Sequence, residues 1–195
     1  MFADRAKIFI ASGILLLVTA LIVVGYYAFN VSVDSVQEEI YWHKKGHTGD
    51  LITKKGGEYI CFTSSEWQKV PDKTAYTKLG VVVNDGSCPA FYVALHDKAG
   101  GEKMTWDEAV ARYGEGILPS HEQCRALGNN RDIINNAMRA FGGTVMDQDY
   151  WGKEHDSSYA WYVYMYNGFV YADATFKNYP YRVRGVAPVP AASAR

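Results

Sequence analysis

A charge imbalance is absent. The chain has 20 Lys and Arg against 21 Asp and Glu, a formal net charge of −1 over 195 residues. It has no basic footprint to grip a phosphate backbone, so nucleic acid is not an expected partner. Cysteine is scarce, and Cys61, Cys88 and Cys124 show no C-x-x-C spacing. That excludes the usual zinc and dithiol patterns. Their odd number leaves two readings open: one disulfide beside a free thiol, or three small buried hydrophobes. No G-x-S-x-G and no H-E-x-x-H occurs, which removes the nucleophile elbow and the zinc-protease helix. No internal repeat is present.

One long uncharged run is present. "IFIASGILLLVTALIVVGYYAF", residues 8–29, contains no Asp, Glu, Lys or Arg. Roughly 20 apolar residues suffice for a helix to span a bilayer. Arg5 and Lys7 precede the run, and Asp34, Glu38 and Glu39 follow it. Positive charge ahead of a span favours that end inside. The reading is an uncleaved signal-anchor over residues 1–29, with a cleaved signal peptide as the alternative. Under either, the remainder is exported to the cell envelope.

Residues 30–56 are polar and read as a stalk leaving the membrane. His43 and His47 stand at i, i+4, a spacing that could hold a metal on a helix. Gly46 and the adjoining lysines argue against it, and no metal or cofactor is expected. A domain follows over 57–187, with a tail over 188–195. "GEYICF" (57–62), "KLGVVV" (78–83) and "PAFYVALH" (89–96) have strand composition, and Asn84-Asp85-Gly86 marks a turn. Thr105 with Glu108, and Ser120 with Gln123, are capping-box pairs that open two helices. Asp132 opens a third with the pattern Ile133, Ile134, Ala137, Met138, Phe141, closed by Gly142-Gly143. Strands return from Tyr150. The layout predicts an α+β fold built on antiparallel strands with two to three helices. Trp106, Ile133, Phe141, Trp161 and Val163 are expected to be buried together.

Tyrosine is abundant and unevenly placed. Tyr150, Tyr159, Tyr162, Tyr164, Tyr166, Tyr171, Tyr179 and Tyr181 are eight of the chain's 15. Asn167-Gly168 suits a two-residue type I′ hairpin turn. That turn sets Tyr164 opposite Tyr171, Val163 opposite Ala172, Tyr162 opposite Asp173 and Trp161 opposite Ala174. Alternation then divides the hairpin. Trp161, Val163, Met165, Val170, Ala172 and Ala174 should face the core. Tyr162, Tyr164, Tyr166, Phe169, Tyr171 and Asp173 should face outward. Burial of both faces, as in a sandwich, is the competing arrangement.

The segments "GEYICFTSSEWQKV", "KMTWDEAVARYG", "ILPSHEQ", "DYWGKEHDSSYAWYVYMYNG" and "YRVRGV" follow one another in this order. Over roughly 57–187 the chain resembles the bacterial C-type-lectin-like domains of the Bacteroidetes and Fibrobacter major paralogous proteins. These are related to the formylglycine-generating enzyme fold and to the variable proteins of diversity-generating retroelements. The resemblance implies that the first and last strands pair, that two helices pack on one side, and that the C-terminal hairpin presents the binding face. Here "YWGKEHD" stands where members commonly read "YWTSTE" or "YWSSTE". The formylglycine-generating activity is not implied, because no cysteine follows Cys124, and the calcium-binding triplets of sugar-binding lectins are absent.

The expectation is thus a binding protein rather than an enzyme. Its ligand face comprises Tyr162, Tyr164, Tyr166, Phe169, Tyr171 and Asp173, with Tyr150, Lys153, Glu154 and His155 beside it. The expected partner is a protein or a glycan. A structural subunit of an envelope assembly, and an enzyme of formylglycine-generating-like fold, are the alternatives.

Overall fold

The structure, a computed structural model, describes residues 46–166 and 171–190. They belong to the unit spanning residues 43–195. The expected membrane span over 8–29, the Asn167-Gly168 turn, Phe169 and Val170 lie outside the described residues. Among the described residues, no helix is long and apolar enough to cross a membrane.

The fold is α+β with two antiparallel sheets. The first contains β1 (Leu51–Lys55), β2 (Glu58–Phe62), β3 (Thr77–Val83), β4 (Phe91–Ala94) and β8 (Val186–Pro188), in the order β2-β1-β3-β4-β8. The second contains β5 (Asp149–Glu154), β6 (Tyr159–Tyr164) and β7 (Tyr171–Phe176), in that order. Four α-helices are present among the described residues: α1 (Ser64–Lys69), α2 (Trp106–Tyr113), α3 (His121–Asn129) and α4 (Arg131–Phe141).

Two features of the sequence-based layout are corrected. Residues 51–55, expected in the stalk, form β1, which lies between β2 and β3 inside the first sheet. Leu51, Ile52 and Thr53 are fully buried there, while Lys54 and Lys55 are exposed; the lysine pair gave a core strand the look of a linker. The pairing of first and last strands implied by the resemblance is also not found. β8 pairs with β4, and "GEYICF" supplies the edge strand β2, which pairs with β1. Pro188 ends β8 at the opposite edge, where a missing N–H is tolerated.

Alternation on β3 divides the first sheet. Val81 and Val83 enter the main core, whereas Val82 joins Ile52 and Cys61 on the other face. Gly80 is required by close approach, since a Cβ there would stand 2.2 Å from the Val93 carbonyl oxygen. The main core receives Leu51, Phe91 and Val93 from the sheet and Ile134, Met138 and Phe141 from α4. Ile133 is a correction. It is 50% exposed, because the buried face of α4 runs through Ile134, Ala137, Met138 and Phe141, the i, i+3, i+4, i+7 stripe.

The expected capping boxes form at Thr105–Glu108 and Ser120–Gln123, and another at Thr63–Glu66 opens α1. Gly142 ends α4 in the left-handed conformation, φ 76°. α4 itself starts one residue earlier than expected, at Arg131. Buried Asn135 donates to the Met146 carbonyl at 2.9 Å and accepts from Met146 N–H at 2.7 Å. This pair fixes the approach of the chain to β5.

A second, smaller core gathers Met104, Trp106, Ala109, Leu118, Trp151, Ala160 and Val183. Trp106 therefore does not share a cluster with Phe141 and Val163, which lie in the main core. Both indoles of this core are satisfied by backbone carbonyls: Trp106 Nε1 donates to Gly152 at 3.0 Å, and Trp151 Nε1 donates to Met104 at 2.8 Å.

Between the segments that flank β4 and β8 lies a buried ionic cluster. Arg184, 1% exposed, donates through Nε to Asp97 Oδ1 at 2.6 Å and through its two terminal nitrogens to the Ala94 and Thr144 carbonyls, each at 2.9 Å. Arg182 reaches the other Asp97 oxygen at 3.2 Å. These bonds tie the segment before β8 to the segment after β4.

Candidate functional site

The hairpin register expected from the turn is present. Tyr164 pairs with Tyr171, Val163 with Ala172, Tyr162 with Asp173 and Trp161 with Ala174. β5 extends these into three-strand rows, because Asp149 pairs with Tyr164, Tyr150 with Val163 and Trp151 with Tyr162. One face of the second sheet therefore carries the rows Asp149–Tyr164–Tyr171 and Trp151–Tyr162–Asp173. The opposite face carries Tyr150–Val163–Ala172.

This register corrects Tyr150. It lies beside Val163 on the inward face and is 1% exposed in the main core. Burial pushes its phenol up, Asp97 adds to that, and Arg184 opposes it. Val163 and Met165 are fully buried, as expected. Trp161 is only half-buried. Its ring stacks on His121 at 3.8 Å and 11°, and His155 meets its edge at 4.6 Å.

The outward face is graded along its length. Where Trp151 and Ala160 lie, the second core covers it. Tyr162 is half-buried there, stacked on Tyr181 at 5.2 Å, and Tyr181 also meets Trp151 at 4.7 Å. The competing sandwich arrangement thus holds at this end. Toward the turn exposure rises among the described residues. Tyr164 is half-buried, Asp173 is exposed, and Tyr166 is 49% exposed, with Tyr164 and Tyr166 rings 6.3 Å apart. Tyr179, 48% exposed, stacks on Tyr181 at 6.4 Å and extends the aromatic surface sideways. Burial raises the phenols of both Tyr162 and Tyr181.

Lys153, Glu154 and His155 do not join this surface. Glu154 pairs with Ala160, at the end of the sheet remote from Tyr164. Four strand residues separate those ends, about 13 Å. The Lys153 N–H donates to the Pro119 carbonyl at 2.8 Å. Glu154 binds Lys177, whose ammonium also lies 4.3 Å over the Trp106 ring. His155 contacts Asp156 at 2.9 Å. The three residues therefore build the base of the hairpin. A shallow depression of about 310 Å³ beside them is lined by Thr105, Asp107, Ser158, Phe176 and Lys177, among others.

Three residues near this face, Asp149, Tyr179 and Tyr181, fall outside the hairpin pattern that assigned its sides. Asp149 sits one position before the strand pattern begins, and Tyr179 and Tyr181 reach the face only through the chain's return after β7. Among the described residues, no group of three or more His, Cys, Asp or Glu side chains is gathered as a metal ion would need. The three cysteines are free, so the disulfide alternative is not realised. No family model matches the chain, and no curated protein is similar to it.

Proposed function

We propose that this chain is an exported, membrane-anchored recognition protein whose β6–β7 hairpin presents tyrosines to a macromolecular partner. The observation that carries this reading is the register of the second sheet. It sorts Val163 and Met165 inward and sets half-buried Tyr164 with exposed Tyr166 and Asp173 on the outward face. Contiguous exposed aromatic surface marks interaction sites. Tyr supplies large contact area, a hydrogen-bonding tip and a small entropy loss on ordering. The resemblance to C-type-lectin-like domains, which bind through this stretch, supports the same assignment. Among protein and glycan partners, a face built on tyrosine rings favours a protein. The anchor and the export rest on the uncharged run at 8–29 and its flanking charges.

The test is the full-length double variant Tyr164→Ser/Tyr166→Ser. It should melt within a few degrees of the parent and lose the species that the parent captures and cross-links from envelope extracts. Unfolding of the variant, or unchanged capture, would refute the reading.

A further inference from the structure

The depression at the base of the hairpin lies at the other end of the second sheet from the tyrosine face. Phe176, on its wall, pairs with Tyr159, whereas Tyr164 pairs with Tyr171. Its volume of about 310 Å³ is at the small end of ligand sites, which run from about 300 to 1,000 Å³. Its backbone is held in place. The Trp106 N–H donates to the Lys177 carbonyl at 2.9 Å, and the Lys177 N–H donates to the Ser158 carbonyl at 3.1 Å. The Lys177 ammonium is already engaged: it binds Glu154, donates to the Ser157 carbonyl at 3.3 Å and lies 4.3 Å over the Trp106 ring.

Four other lining side chains are not engaged. Asp107, Ser157, Ser158 and Asn178 are exposed, and no side-chain hydrogen bond or ion pair holds them among the described residues. Together they offer a carboxylate, two hydroxyls and a carboxamide, so donors and acceptors are mixed. Beside them stands Phe176, 48% exposed, with the Tyr159 ring 4.5 Å behind it.

This mixture selects a ligand class. An anion would meet the Asp107 carboxylate and find the one lining ammonium taken. An organic cation would meet that same ammonium. A metal ion needs several oxygen ligands, and no group of three or more His, Cys, Asp or Glu is gathered among the described residues. A wholly apolar ligand would cover Asp107 and Asn178 without bonding them, at a cost. An uncharged pyranose avoids all four penalties. Its rim of hydroxyls both donates and accepts, and its C–H face suits the electron-rich face of a phenyl ring.

We propose that this depression is a second binding site, distinct from the hairpin tip, for one uncharged pyranose unit of a glycan. Phe176 packs against the C–H face of the sugar, and Asp107 and Asn178 bond its hydroxyls.

The test uses the full-length chain in a dimethylamine-oxide detergent, which carries no sugar headgroup. Backbone amide shifts are followed by NMR as methyl pyranosides of glucose, galactose, mannose and N-acetylglucosamine are added at millimolar concentration. At least one should shift residues 105–107 and 176–178. Cyclohexanol, of similar bulk with one hydroxyl, should not, and the methyl glycoside of glucuronic acid should bind several-fold more weakly than that of glucose. Phe176→Ala and Asp107→Asn alter exposed side chains, so both should keep the parent's fold, and each should weaken the responding glycoside about tenfold. Silence toward all four glycosides, an equal response to cyclohexanol or to the glucuronide, or a glycoside response that survives both substitutions would overturn the proposal. Capture by the Tyr164 and Tyr166 variant reports separately on the hairpin tip.

Discussion

Asp97 is the residue whose loss should reveal how the segment before β8 is held to the segment after β4. Its side chain is 3% exposed and accepts from Arg184 at 2.6 Å and from Arg182 at 3.2 Å. Arg184 is 1% exposed. At an effective dielectric of about 20, two unit charges about 4 Å apart attract by about 4 kcal/mol. Removing one partner of a buried pair costs about 3–5 kcal/mol, because the other charge stays uncompensated. Asp97→Asn keeps the shape and one acceptor but leaves the Arg184 guanidinium without a counter-charge and Arg182 with only Asp147, at 3.9 Å. It should cost about 3 kcal/mol, at the low end of that range. For a chain of this size that corresponds to a fall in Tm of about 6–12 °C. Arg184→Met should cost a similar amount, since it also strips the Ala94 and Thr144 carbonyls of their donors. The double variant removes both charges and should cost less than the sum. Urea unfolding of the four proteins closes the cycle. Additivity within about 0.5 kcal/mol, or an Asp97→Asn curve that overlays the parent, would refute the claim that this pair is electrostatically coupled in the folded state.

Trp151→Phe should cost about 1–3 kcal/mol in urea, because it removes the indole's bond to the Met104 carbonyl, which keeps only the Tyr181 N–H, and leaves a gap at a fully buried site. Trp161→Phe, at a half-buried indole with no such bond recorded, should cost clearly less, and equal losses would contradict the assigned environments. Burial pushes the Cys61 thiol up to about 12 and raises Cys124 further, while Cys88 is half-buried and raised less. A thiol reagent at pH 8 should therefore label Cys88 first in the native chain and all three after denaturation. Prompt labelling of Cys124 without denaturant would contradict its full burial in the main core.

Local rules carried much of the fold. The capping boxes at Thr105 and Ser120, the left-handed Gly142 and the strands at 58–62, 77–83 and 91–94 are decided by neighbours a few residues apart, so they can be read along the chain. The hairpin register is local too. Pairing period two converts one register into a full assignment of sides, which is why Val163 and Tyr164 were separable from sequence. What lay beyond reach was long-range. Lys54-Lys55 disguised β1, because only pairing with β2 and β3 buries Leu51 and Ile52. Tyr150 looked like a surface tyrosine until β5 aligned it with Val163. Trp161 packs against the main core as its register requires, but stays half-buried because α3 places His121 over its ring. The depression at the hairpin base is likewise invisible in one dimension, since Asp107 and Asn178 come to line it only once the chain has folded. Composition and alternation decided which side chains share a face. Only the packing of a second layer decided where along that face the tyrosines are covered and where they are left exposed.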